Sequence, residues 1–249
     1  MRMGEKRRYR ELFKSKDLVG FRVNQKETDV YVAVDSRKKE NLKSIITETE
    51  RLIRDYRRDI EDYIRNYPLF EVSFRPVAVD SDAPEIIKEM ARVALLANVG
   101  PFASVAGAIA GAVGRKLSEE ISDVIIENGG DVFMKTTKPR KVGIYSDSDE
   151  ISNRIGLEVH PTDTPLGICA SSGTQGHSFS FGRADVAVAV SNSTALADAC
   201  ATAMGNLIME SRDITKGIDF AKSIEGIKGV VIVKDGQIGF WGDIRIIII

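Results

Sequence analysis

STALADACATAMGNLIME, Ser193 to Glu210, is the stretch from which the architecture is read. Ser193 suits an N-cap, because its side-chain oxygen can accept from a free amide of the first turn, and the run that follows is a strong helix former. Asp198 and Thr202 are four residues apart, so on a helix their oxygens lie on one face and can converge on a single hard cation. Ala197, Ala199, Ala201 and Ala203 keep that helix slim. An acidic side chain among small apolar ones needs a partner, since burying a lone carboxylate is very costly. The plainer reading is an Ala-rich packing helix in which Asp198 bonds to a nearby turn.

Short strand candidates flank this helix: DVIIE, VFMKT, KVGIYS, GLEVH, GICAS and DVAVAVS before it, and KGVVIVKDGQIGFWG after a further helix near Ile214 to Ile224. Asp235-Gly236 suits a hairpin turn. Nearer the start, LVGFRV and DVYVAV alternate about NQKET and predict another hairpin. From Ser36 to Asn66 apolar residues recur at three- and four-residue steps, which predicts a long amphipathic helix with a solvated charged face, closed by Pro68. Phe70 to Val79 reads as a strand, and Pro84 to Asn98 as a helix capped by Asp82. In GPFASVAGAIAGAVGRKL, Gly107, Gly111 and Gly114 lower helix propensity, so a sheet, a helix or a ligand is expected to approach the backbone there. The tail, DIRIIII, reads as a strand buried on both faces or paired across a subunit interface. No linker or internal repeat is evident, and the expectation is one intertwined α+β domain over residues 1–249, with mixed sheets packed against long helices.

Chemistry is expected at two further places. In ENGGDVF, Glu127 to Phe133, a strand ends in Asn128, Gly129 and Gly130, which let a ligand approach the main chain, and Asp131 adds a carboxylate. A tight hairpin turn is the competing reading. In GICASSGTQGHSFSFGRADVAVAV, Ser171, Ser172, Gly173 and Thr174 supply hydroxyls and amides fit for phosphate oxygens or a flavin ring edge. His177 is placed to act as acid or base, although a lone His in a polar loop is more often a surface residue. His160, before Pro161, reads as turn structure. No GxSxG elbow supports a triad. The glycine spacing of GAIAGAVG follows no clear strand and carries little weight for a dinucleotide. Cys200 reads as a small core residue.

Composition narrows the class. With 43% apolar and 29% charged residues and a net charge of -1, the chain is of ordinary globular type, and no nucleic-acid partner is implied. The basic residues of the first sixteen positions read as a solvated edge. Cys169 and Cys200 form no CxxC pair, and no apolar core follows the charged start, so a cytoplasmic protein is expected. The apolar run from Ala91 to Val113 is interrupted by Gly100-Pro101 and reads as buried core rather than a membrane span.

Taken in order from about Gly100 to Glu210, these motifs resemble the ApbE superfamily, especially its shorter branch, with ADACATA the strongest element. The resemblance implies an ApbE-like, T-fold-related α+β architecture. It also implies a magnesium-dependent transferase that splits FAD, attaches FMN to a Thr or Ser of an acceptor protein and releases AMP. Carried over by motif, Asp198 and Thr202 would ligate the metal together with a carbonyl from the start of the Gly/Ala-rich helix, for which Ala103 is the nearest match. Gly129, Gly130 and Asp131 match the family's Gly-Gly-acid turn, and Ser172 and Gly173 its Ser-Gly. The family's His-x-x-Asp-Pro-x-x-Gly stretch is absent: HSFSFGRADV stands in its place, with His177 as its remnant. A noncatalytic flavin or nucleotide binder that kept the pocket, and an oligomeric scaffold built on the Ala-rich helices and the IRIIII tail, are the competing readings.

Overall fold

A computed structural model describes residues 15–145, 154–172 and 182–249. The hairpin expected first is present: β1 (Leu18–Gln25) pairs with β2 (Thr28–Asp35) from Leu18↔Asp35 to Gln25↔Thr28, about a turn where Lys26 takes φ 52°. A 3-10 turn over Ser36–Asn41 leads into α1 (Leu42–Asn66), which buries Ile45, Leu52, Ile53, Ile60 and Tyr63. Its outer face is laced by ion pairs such as Arg51 with Glu48 and Asp55, as a solvated helix face should be.

Two expectations fail in the next segment. Phe70 to Val79 is not a strand: Pro68 opens a short helix, α2 (Leu69–Val72), and no regular strand follows. The reason is tertiary. Phe70 is fully buried, edge-on to Tyr63 and Phe102, and so anchors the segment in the helical layer. α3 (Glu85–Ala97) is capped from Pro84 with no side-chain bond, so Asp82 does not cap it. α3 ends at Asn98 in the left-handed conformation, and after a 3-10 turn over Pro101–Ser104 the chain enters α4 (Val105–Leu117) bent by 102°. No single helix among the described residues is long and apolar enough to cross a membrane.

The remaining strands are β3 (Val124–Asn128), β4 (Asp131–Lys135), β5 (Arg140–Gly143), β6 (Ile155–Val159), β7 (Leu166–Ser171), β8 (Val186–Ser191), β9 (Ile227–Lys234), β10 (Gln237–Gly242) and β11 (Arg245–Ile248). α5 (Thr194–Leu207) and α6 (Ile214–Lys222) lie between β8 and β9. An eight-stranded antiparallel sheet runs β1-β2-β3-β4-β7-β8-β9-β10, and a second sheet runs β11-β6-β5. Both faces of the large sheet are covered, and the side-chain period of two assigns each residue its side. Along β8, Val186, Val188 and Val190 pack toward the small sheet, while Ala187 and Ala189 face the helices. Small side chains there let α5 lie close on the sheet, and almost every residue of α5 up to Gly205 is buried. A helix apolar on all sides belongs in a core.

Of the two expectations for the tail, burial on both faces fails: among the described residues β11 is an edge strand paired only with β6, and Ile248 is 86% exposed. Ile249 packs over Gly143 and Gly156 of the small sheet.

Candidate functional site

α5 begins as expected, with the Ser193 hydroxyl accepting from the Leu196 amide. One face of it then carries Asp198 and Thr202 toward the start of α4. The Thr202 hydroxyl lies 3.4 Å from the Ala103 carbonyl oxygen, which it faces from 99 positions away in sequence. Asp198 Oδ2 accepts from the Gly107 amide at 2.8 Å. α4 has no side-chain cap of its own, so Asp198, reaching across from α5, serves its first turn in place of one. The close approach requires glycine: an ideal Cβ on Gly107 would sit 2.6 Å from the Thr194 carbonyl oxygen and 2.7 Å from Asp198 Cβ. Gly114 is required by the sheet, where a Cβ would lie 2.1 Å from the Phe133 ring. Thus both the helix and the sheet foreseen as visitors to this glycine series are found.

The second wall is the end of the β3–β4 hairpin. Asn128 pairs with Asp131, so Gly129 and Gly130 form a two-residue turn at φ 71° and 107°, a conformation that only glycine adopts readily. The Gly130 amide donates to Glu127 Oε1 at 2.8 Å, and the Asn128 side-chain amide donates to the Ala106 carbonyl in α4 at 3.1 Å. The hairpin reading of ENGGDVF is therefore realised, with the turn held against the start of α4. β7 runs beside β4, with Val132 opposite Ile168, so Asp131 falls next to Cys169. Ser171 and Ser172, half-buried, end β7, and the carbonyl of Ala170 lies 4.0 Å from the position a Cβ on Gly130 would take. Gly173, Thr174 and His177 lie outside the described residues.

Asp131 and Asp198 are both buried, at 6% and 8% exposure, and the charge of Asp131 acts on Asp198. Burial, then the charge of Asp131, raise the carboxyl of Asp198 well above the ordinary range, against a smaller opposing pull from the Gly107 amide. The Cys169 thiol feels burial first, then both carboxylates, and is likewise raised. Its Sγ lies 3.3 Å from the Thr194 carbonyl oxygen. Two buried carboxylates in mutual repulsion are relieved by a proton or by a cation. No group of three or more His, Cys, Asp or Glu side chains among the described residues forms a metal cluster. The donor set is mixed instead: carboxylate, hydroxyl and main-chain carbonyl, all oxygen, which fits a hard divalent ion such as magnesium that binds through one or two carboxylates.

Sequence reasoning missed Asn128 as a tie between hairpin and helix, and it missed the place of Cys169 beside the two carboxylates. Strand parity offered a signal for the second, since Cys169 stands two residues before Ser171 on the same face of β7. The first had none, because only folding brings Ala106 to Asn128. His160 behaves as turn structure: its amide donates to Asp163 Oδ2 at 2.9 Å in the 3-10 turn over Pro161–Asp163.

This fold is similar to that of a solved ApbE flavin transferase. The flavin transferase ApbE from Vibrio cholerae superposes with a TM-score of 0.57 over 90% of this chain and 96% of that one, at 15% sequence identity. The chain itself belongs to the family described as AbpE bacteria, whose model matches residues 10–239. Among its relatives are a UPF0280 protein of Methanococcus aeolicus, 39% identical over 88% of each chain. Another is a UPF0280 protein of Methanocaldococcus jannaschii, 37% identical over 90% of each.

Proposed function

We propose that this protein binds a flavin nucleotide together with a divalent cation, magnesium by preference, and uses the site to cleave FAD and pass FMN to a Thr or Ser hydroxyl of an acceptor protein. The observation that carries the reading is the meeting of the Ala103 carbonyl, the Thr202 hydroxyl and Asp198, with Asp131 on the facing wall, in the core of an ApbE-type fold. Asp198, Thr202 and the Ala103 carbonyl would hold the cation. Once bound, that ion neutralises pyrophosphate oxygens and the charge that develops on them. The Gly129–Gly130 turn admits phosphates without steric conflict, and the Ser171 and Ser172 hydroxyls donate to their oxygens. The acceptor hydroxyl oxygen forms a bond to the FMN phosphorus as the bond from that phosphorus to the AMP oxygen breaks, and AMP departs. His177 takes the hydroxyl proton, and Asp131 orients the attacking hydroxyl.

Incubating the purified protein with FAD and magnesium chloride, with and without a Thr- or Ser-containing acceptor, tests this by chromatography of AMP. Wild type should release AMP only with magnesium, and Asp198→Asn should not. The missing His-x-x-Asp-Pro stretch favours a second reading, binding without turnover. Magnesium-dependent FAD binding with no AMP selects that reading, and FAD binding undetectable with or without magnesium refutes both.

A further inference from the structure

The carbonyl that Asn128 holds and the amide that Asp198 holds belong to a single peptide group, the one joining Ala106 to Gly107. On one side the Asn128 side-chain amide donates to the Ala106 oxygen at 3.1 Å, and on the other the Gly107 N–H donates to Asp198 Oδ2 at 2.8 Å. Both side chains are buried, Asn128 at 7% exposure. A donor placed on a peptide carbonyl polarises the group and strengthens its own N–H as a donor, so bonds chained through one peptide support each other. The chain of bonds runs from the β3–β4 hairpin, which carries Asp131, through the first turn of α4, to the carboxylate on α5.

We infer that Asn128 is a positioning residue that acts through the Ala106–Gly107 peptide to orient Asp198, fixing Oδ2 on the helix and setting the separation between Asp198 and the Asp131 wall. The inference rests on the cation reading proposed above and deepens it. Asn128 would then serve the site without touching flavin or metal: its amide group is aimed at the protein's own backbone. Gly107 completes the device because no side chain fits between the amide and the carboxylate.

The test is titration calorimetry with magnesium chloride alone on wild type, Asn128→Leu and Asn128→Ser, each followed by thermal unfolding. The Ser hydroxyl is too short to reach Ala106, and its smaller change protects the experiment if the Leu variant does not fold. Thr136→Val, which removes a buried hydroxyl bond to Asp123 far from this site, controls for stability loss by itself. The expected result is a magnesium affinity about tenfold weaker in the Asn128 variants, equivalent to about 1.4 kcal/mol. Thr136→Val should lower the melting temperature and leave that affinity unchanged. Wild-type affinity in a folded Asn128 variant overturns the positioning role and leaves the cation site standing. Absence of magnesium binding in wild type overturns both.

Discussion

Gly107→Ala sets two physical effects of opposite sign against each other. Intrinsic helix propensity favours Ala over Gly by up to about 1 kcal/mol, so on a free helix the change is stabilising. Here the new Cβ would stand 2.6 Å from the Thr194 carbonyl oxygen and 2.7 Å from Asp198 Cβ. Neither is the free end of a flexible chain: one is backbone inside α5, the other the root of a buried side chain. The first turn of α4 must therefore draw back from α5 by several tenths of an ångström or more, at an overpacking penalty of about 1–3 kcal/mol. The same movement stretches the 2.8 Å bond between the Gly107 amide and Asp198, worth about 1–2 kcal/mol. The net expectation is a loss of about 2 kcal/mol, which for a chain of this size lowers the melting temperature by about 4–8 °C. Urea unfolding followed by circular dichroism, with calorimetry for the melting temperature, reads it directly. A variant as stable as wild type, or more stable, would refute the account of α4–α5 packing, because propensity would then have outweighed the contact.

Further expectations concern regions outside the site. Arg140 clamps Asp17 with two bonds of 2.9 Å and reaches Asp123 at 3.3 Å. Bonds from Arg140, Ser15 and Lys138 hold Asp17 far below the usual carboxylate range. Burial pushes Asp123 upward, but bonds from Thr137, Thr136 and Arg140 outweigh it and leave Asp123 lowered as well. Because these folded-state values lie below the unfolded one, the stabilisation is present above about pH 4 and fades as the pH falls further. Arg140→Met should lose about 2 kcal/mol at pH 7, and the gap to wild type in urea titrations should narrow below pH 4; a gap that is constant with pH would contradict the clamp. Ile248→Lys, at a position 86% exposed on an edge strand, should change stability by no more than about 0.5 kcal/mol and reduce self-association seen by light scattering. A large loss of stability would mean that β11 is covered as the sequence first suggested.

What the sequence determined by itself were the local elements and the local geometry of the motifs. The hairpin about Lys26, the Asp235-Gly236 turn, the capped α5 and six of the strands between Val124 and Ser191 follow from turn chemistry, capping and alternation, all of which act over a few residues. The same reach explains why Asp198 and Thr202 were seen to share a helix face. The tertiary structure decided whatever depends on residues remote in the chain. Phe70 is drawn into a helical layer by Tyr63 and Phe102, so a stretch with strand-like pattern forms no strand. DIRIIII fits equally a doubly buried strand and one paired across a subunit interface, and only the fold shows it to be an edge strand of the small sheet among the described residues. Most of all, the link from Asn128 through the Ala106–Gly107 peptide to Asp198 joins three elements, and no periodicity encodes it. A helix amide can be claimed by a carboxylate 91 residues away only after the sheet has brought α4 and α5 into contact.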